Sequence, residues 1–246
     1  MSFIEFSGIK KSFDEKVVYT KLDLCIEKGE TITIIGGSGS GKSVLLKLLV
    51  GLMKPDAGSI TIGGTDIVPL SENELVSVRK RIGMLFQGGA LFDSVSVGEN
   101  VGYGLVMQAR MKENEIKKKV AHCLEMVGLP GIERMMPADL SGGMKKRVAL
   151  ARAIAYDPEI ILYDEPTTGL DPTNSNRINH LINELREILK VTSVVVTHDM
   201  KSAFAVSDRL AMLFRGRIEL VGTPAEIKRS SDPVVRGFIE GNIGEL

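Results

Sequence analysis

Two hydrophobic periods alternate along this chain. Short apolar runs rich in Val, Ile and Thr are separated by stretches where apolar residues recur every third or fourth position. That alternation predicts an α/β fold with a largely parallel sheet. Phe3–Ile9 and Val17–Ile26 read as strands near an antiparallel edge. Thr31–Ile35, Ser59–Ile62, Ile82–Phe86, Glu159–Tyr163 and Ser193–Thr197 read as further strands. Arg209–Phe214 and Arg217–Gly222 form a hairpin turning at Arg215-Gly216. Helices are predicted over Ser43–Leu52, apolar on nearly every face, and over Lys112–Val127, Met144–Ala155 and Thr173–Lys190. Ser71 and Glu74 make a capping box for a helix carrying Arg79, Lys80 and Arg81. Gly128 and Pro130 stop the Lys112 helix, and Pro224 opens a helix near the end. Residues from about 90 to 155 carry helical patterns with few strand signals, and they read as a helical subdomain inserted in the α/β core.

Composition narrows the class without naming it. The chain has 246 residues, 43% hydrophobic and 25% charged, and equal counts of basic and acidic side chains give a net charge of zero. Bulk electrostatics therefore does not point to nucleic acid. Cys25 and Cys123 lack metal-ligand spacing and read as buried or half-buried thiols in a reducing compartment. The first residues lack the pattern of a secretory signal, and no stretch approaches the roughly 20 apolar residues that span a bilayer. Any link to a membrane is expected to run through a partner or a surface contact.

Gly36-Gly37-Ser38-Gly39-Ser40-Gly41-Lys42-Ser43 follows a predicted strand and opens a predicted helix. It fits the phosphate-loop pattern G-x-x-x-x-G-K-[ST] at every position. Glycines let the backbone curl until several N–H groups converge on phosphate oxygens, and the helix start adds partial positive charge. Lys42 is placed to neutralise the β- and γ-phosphates of a nucleotide, and Ser43 offers a hydroxyl to Mg2+. The apolar run Ile160–Tyr163 ends in Asp164-Glu165, where a buried parallel strand would deliver two carboxylates at its ligand-binding end. Asp164 suits the Mg2+ shell, and Glu165 suits orienting and polarising a water.

Leu140-Ser141-Gly142-Gly143-Met144 precedes that acidic pair and opens a helix. It resembles the signature motif of the ABC ATPase family. The resemblance covers nearly the whole chain. It implies a P-loop NTPase fold with an antiparallel β subdomain and an inserted helical subdomain, hydrolysis of ATP with Mg2+, and a head-to-tail homodimer. In that dimer two ATP molecules lie between the copies. The phosphate loop of one copy and Ser141, Gly142 and Gly143 of the other hold each nucleotide. Gln87 resembles the Q-loop glutamine that touches Mg2+ or water. Gly169-Leu170-Asp171 resembles the D-loop, His198 the switch histidine at the γ-phosphate, and Phe13 the aromatic that stacks on adenine. An edge or core phenylalanine is the competing reading of Phe13.

Three stretches are similar to the ATPases of MCE-type, Mla-like systems that move phospholipids across the bacterial envelope. They are Arg79–Phe92, Met144 after the signature, and Asp232–Gly241. That resemblance implies a permease docking near Gln87 to Val101, where Gly88, Gly89, Ala90, Leu91 and Phe92 would help form a receiving groove. It also implies an MCE lipid-binding subunit in the same complex, no nucleic acid, and a place on the cytoplasmic face of the inner membrane. The alternatives left open are the ATPase of an importer for a small polar solute, such as an amino acid, and a soluble ABC ATPase outside transport.

Overall fold

The computed structural model describes residues 2–108 and 111–240. Gly241, the last residue of the C-terminal motif, lies outside the described residues. In chain order the first half carries β1 (Ile4–Phe13), β2 (Lys16–Ile26), β3 (Thr31–Ile35), α1 (Lys42–Leu49), β4 (Ala57–Ile62), β5 (Thr65–Asp66), α2 (Glu72–Arg79), β6 (Ile82–Leu85), α3 (Val97–Gln108) and α4 (Glu113–Met126). There follow α5 (Gly142–Ile154), β7 (Ile160–Asp164), α6 (Pro172–Leu189), β8 (Thr192–Thr197), α7 (Met200–Val206), β9 (Arg209–Phe214), β10 (Arg217–Gly222), α8 (Pro224–Arg229) and α9 (Pro233–Glu240). The chain divides into two compact units, one of residues 1–79 with 192–246 and one of residues 80–191.

The first unit holds an antiparallel sheet in the order β2-β1-β4-β5 and a mostly parallel group in the order β10-β9-β3-β8. β3 is buried along its whole length and runs parallel to both β8 and β9, with Ile35 opposite Thr197 and Met212. A strand buried on both faces needs the continuous apolar run Thr31–Ile35 supplies. β2 instead alternates inward and outward residues, which leaves Cys25 exposed where the sequence suggested at least half-burial. α8 and α9 close the parallel group from one side, with Ile227, Val235 and Phe238 packing on Ile35, Leu210 and Met212. Glu30 and Arg209 tie the start of β3 to β9 through a two-pronged ion pair at 2.5 and 2.9 Å.

α1 stops three residues earlier than expected, because the chain turns left-handed at Gly51, with φ of +65°. α2 ends at Arg79, so Lys80 and Arg81 are not on it. The Arg79 guanidinium turns back to donate to the carbonyls of Val50 and Gly51, satisfying the end of α1, while pairing with Glu72 at 2.9 Å.

The second unit pairs β6 with β7 in parallel, Leu85 opposite Tyr163. α5 crosses this pair closely, since a Cβ on Gly83 would collide with the Ala153 carbonyl. α3 and α7 carried no periodic signal that singled them out. In α3 the cause is its glycines, poor helix formers by themselves. Tertiary packing overrides propensity there. Gly98 lies against Glu133 and Gly102 against Val120, and at Gly104 a Cβ would stand 2.4 Å from Tyr156 Cε2. Of the consecutive lysines Lys117, Lys118 and Lys119 on α4, Lys119 is largely covered and pairs with Asp157.

Gly83→Val should destabilise the chain by about 1–3 kcal/mol through overpacking against α5. Urea unfolding followed by circular dichroism measures the loss.

Candidate functional site

In the first unit the phosphate loop leaves the carboxyl end of β3 and runs directly into α1. Two backbone approaches fix its shape. A Cβ on Gly36 would stand 2.6 Å from the Leu213 carbonyl oxygen, and one on Gly41 would stand 2.7 Å from Val18 Cγ1. Gly41 also has φ of +110°, a conformation that L side chains rarely adopt. The Tyr19 hydroxyl, carried on β2, donates to the Gly41 carbonyl at 2.6 Å. Burial pushes that phenol well above its ordinary range, so it remains a donor. Lys42 is buried and its Nζ curls back to the carbonyls of Gly36 (2.8 Å) and Gly37 (3.1 Å). Ser40 Oγ is buried without a hydrogen-bond partner. Gly41 caps α1 without a side chain, so the first-turn N–H groups meet no side-chain acceptor at that cap.

Because Ile35 and Thr197 are in register, Gly36 and His198 leave neighbouring strands at the same end. His198 is exposed. Its turn is set by Asp199, which caps α7 by accepting from the Lys201 N–H (3.0 Å) and the Ser202 hydroxyl (2.6 Å). Phe13 ends β1, 39% exposed, with the Lys11 ammonium 5.2 Å from its ring centroid.

In the second unit Gln87 and Asp164 leave neighbouring parallel strands at the same end, since Leu85 and Tyr163 are paired. Asp164 is half-buried. Glu165 is buried, with φ of +49°, a left-handed backbone on a residue that has a Cβ. Thr168 donates to Glu165 twice, its hydroxyl to Oε2 at 3.1 Å and its N–H to the carbonyl at 3.3 Å. Ser141 caps α5, accepting from the Met144 N–H at 3.3 Å, and the helix begins at Gly142, earlier than the expected Met144. A Cβ on Gly142 would stand 3.7 Å from Leu170 Cδ2, and one on Gly143 would meet Asn174 Oδ1 at 2.8 Å. The segment Glu165–Asn174 is therefore packed on the first turns of α5, which brings the signature residues beside the D-loop and Glu165. Asp171 caps α6, accepting from the Asn174 N–H at 3.0 Å. The backbone and side-chain amides of Asn174 hold its carboxyl below the usual range.

Several contributors were not singled out in the sequence. Lys146, buried on α5, donates to the Glu165 carbonyl at 3.1 Å. Burial lowers its pKa, against the opposing pull of the Glu165 and Asp164 charges. Arg152 donates to the carbonyls of Gly89 (2.8 Å) and Ala90 (2.7 Å), two residues with positive φ just after Gln87. Asn100 is fully buried and stitches residues 92–96 together, accepting from the Phe92 N–H and donating to the carbonyls of Phe92, Val95 and Ser96. Lys146 and Asn100 stand at apolar positions of a helical repeat, and a polar residue on such a stripe is the signal that could have found them.

A glycine phosphate loop between strand and helix, an acidic strand end and a serine-capped second glycine pair define a nucleotide-binding cassette. A family model described as ABC transporter matches residues 19–168, and the chain belongs to the ABC transporter family. It is 42% identical over 238 residues to a probable ribonucleotide transport ATP-binding protein, mkl, of Mycobacterium leprae, covering 97% of this chain and 69% of that one. It is 42% identical over 240 residues to the intermembrane phospholipid transport system ATP-binding protein MlaF of Haemophilus influenzae, covering 98% of this chain and 91% of that one. The dimeric structure of a bacterial ABC transporter cassette superposes with a TM-score of 0.83 at 34% identity, over 90% of this chain and 98% of that one. The chain thus spans about two thirds of the length of the mycobacterial relatives, 66–69%.

Asp171 supplies a pH test of the α6 cap. Its folded pKa is lowered, so its contribution to stability is complete above the ordinary carboxylate range and is lost as pH falls through the lowered value. Asn also caps well. Asp171→Asn should therefore melt slightly below wild type at neutral pH, and the gap should close on acidification. Melting curves of both proteins between neutral and acid pH measure it.

Proposed function

We propose that this chain is the ATP-hydrolysing subunit of an ABC transporter of the intermembrane phospholipid type. The observation that carries the reading is the presence, in one chain, of two glycine-lined helix starts, at α1 and α5, and of an acidic strand end at β7. In the first, Gly36, Gly37, Ser38, Gly39, Ser40 and Gly41 cradle the β- and γ-phosphates of ATP, and the Lys42 ammonium exchanges its carbonyl contacts for phosphate oxygens. The hydroxyl of Ser43 and the carboxylate of Asp164 are oxygen donors of the kind that suits Mg2+. They would hold the ion that travels with the triphosphate, with Gln87 touching it or its water. Glu165 orients and polarises the attacking water, and His198 contacts the γ-phosphate. Phe13 stacks on the adenine.

The second helix start serves the nucleotide of a second copy. Ser141, Gly142 and Gly143 grip that γ-phosphate, and Asp171 lies beside it at the head-to-tail interface. A dimeric relative of the same cassette fold supports this arrangement. The helical subdomain of residues 90–155 receives a membrane permease near Gln87 to Val101. Support comes from aromatic surface, with Phe86 and Phe92 exposed and the Phe92 ring 4.8 Å from that of Tyr103. Among the described residues no helix is long and apolar enough to cross a membrane, and the subunit attaches peripherally, on the cytoplasmic face of the inner membrane. The likeness to a phospholipid transport ATPase over nearly the full length of both chains favours phospholipid cargo, delivered with an MCE lipid-binding subunit, over a small polar solute.

Two measurements on the complex purified with its membrane partners test this. Glu165→Gln should bind ATP as wild type does while turnover falls about 10²-fold or more. A lipid-binding subunit should co-purify. Unchanged turnover removes the role given to Glu165, and a soluble-solute receptor in place of the lipid-binding subunit removes the cargo assignment.

A further inference from the structure

Lysine is seldom buried unless something holds its charge, and Lys146 is 5% exposed. It lies on α5 one turn from Gly143 and shares a buried helix face with Ala149, Leu150 and Ala153. A leucine or methionine would serve packing there at lower desolvation cost. Its Nζ instead reaches the main-chain carbonyl of Glu165, on the same peptide whose φ of +49° places an acidic residue in the left-handed region. Such a backbone persists only where its surroundings over-determine it. The Glu165 carbonyl accepts from Lys146 Nζ and from the Thr168 N–H, and Thr168 Oγ1 steadies the carboxylate itself. Lys146 reaches the turn from outside it, from the helix that begins at Ser141.

We propose that Lys146 is a positioning residue for hydrolysis: its ammonium, anchored on the Glu165 carbonyl, holds the left-handed turn that aims the Glu165 carboxylate at the attacking water. It touches neither nucleotide nor water in this role and acts through Glu165, so the inference rests on the part given to Glu165 above. It also makes α5 a common support. The helix whose first turn would grip one nucleotide fixes the residue that would cleave another. A carboxylate displaced by about 1 Å loses much of its effect on the transition state while leaving ground-state binding in place.

The test compares Lys146→Met and Lys146→Gln in the full chain, with ATP binding and thermal melting recorded beside kcat and KM. Met keeps the length and removes the donor, whereas the Gln amide still donates to a carbonyl. Lys146→Met should lose about tenfold or more in kcat with KM changed by less than about twofold, and Lys146→Gln should recover most of the loss. Full turnover in the Met variant overturns the proposal, and so does an equal loss in both folded variants. Should the Met variant not fold, a tenfold loss of kcat in a folded Lys146→Gln is itself contrary, and turnover near wild type supports the anchor. Glu165→Gln measured alongside separates the two readings. If it retains turnover, the role of Glu165 falls and the anchor with it. If it is inactive while Lys146→Met is unimpaired, only the anchor falls.

Discussion

A helix leaves the N–H groups of its first turn without internal acceptors, and at α1 the cap is a glycine with no side chain to offer. The neighbouring structure enforces that choice. Val18 and Tyr19 of β2 leave no room for a Cβ at Gly41, and the Leu213 carbonyl leaves none at Gly36. The neighbouring strands thereby fix the path of the loop, and its lysine curls back onto the carbonyls of Gly36 and Gly37. Its shape comes from strands β2, β3 and β9, buried residues that would be needed whether or not a nucleotide arrived.

The second unit is organised from α5. Successive turns of this helix present Ser141 as its cap, Gly143 against Asn174, Lys146 against Glu165, and Arg152 against the carbonyls that follow Gln87. In both basic contacts a buried or half-buried cation meets the main-chain carbonyl of a turn with positive φ. Side chains can rotate away, but a carbonyl moves only with its backbone. Motion of α5 therefore passes directly into the acidic turn and the loop after β6. A dimer that closes on ATP and a partner that presses on Gln87 to Val101 would each act on the same helix.

Much of this was legible in the sequence because the elements that matter are locally determined. The phosphate loop is a contiguous run with an exact spacing, and the strands beside it are continuous apolar stretches. The hairpin at Arg215-Gly216, the capping box at Ser71 and the helix start at Pro224 follow from turn and capping chemistry. What escaped was set by contacts distant in sequence. α3 is a helix although Gly98, Gly102 and Gly104 argue against one, because Tyr156 and Glu133 need those small residues. Lys146, Arg152 and Asn100 read as ordinary polar residues until the segments they hold are brought beside them. The end of α1 is set by the left-handed turn at Gly51, whose carbonyl and that of Val50 are then satisfied by Arg79 from the end of α2.

The central claim is that nucleotide joins two copies of this chain through separate surfaces of each. Sedimentation velocity of the Glu165→Gln protein, with and without saturating Mg-ATP, addresses it directly. A monomer should convert to a dimer when ATP is added and revert when it is removed. A well-folded protein that binds ATP fully yet sediments as a monomer throughout would contradict it.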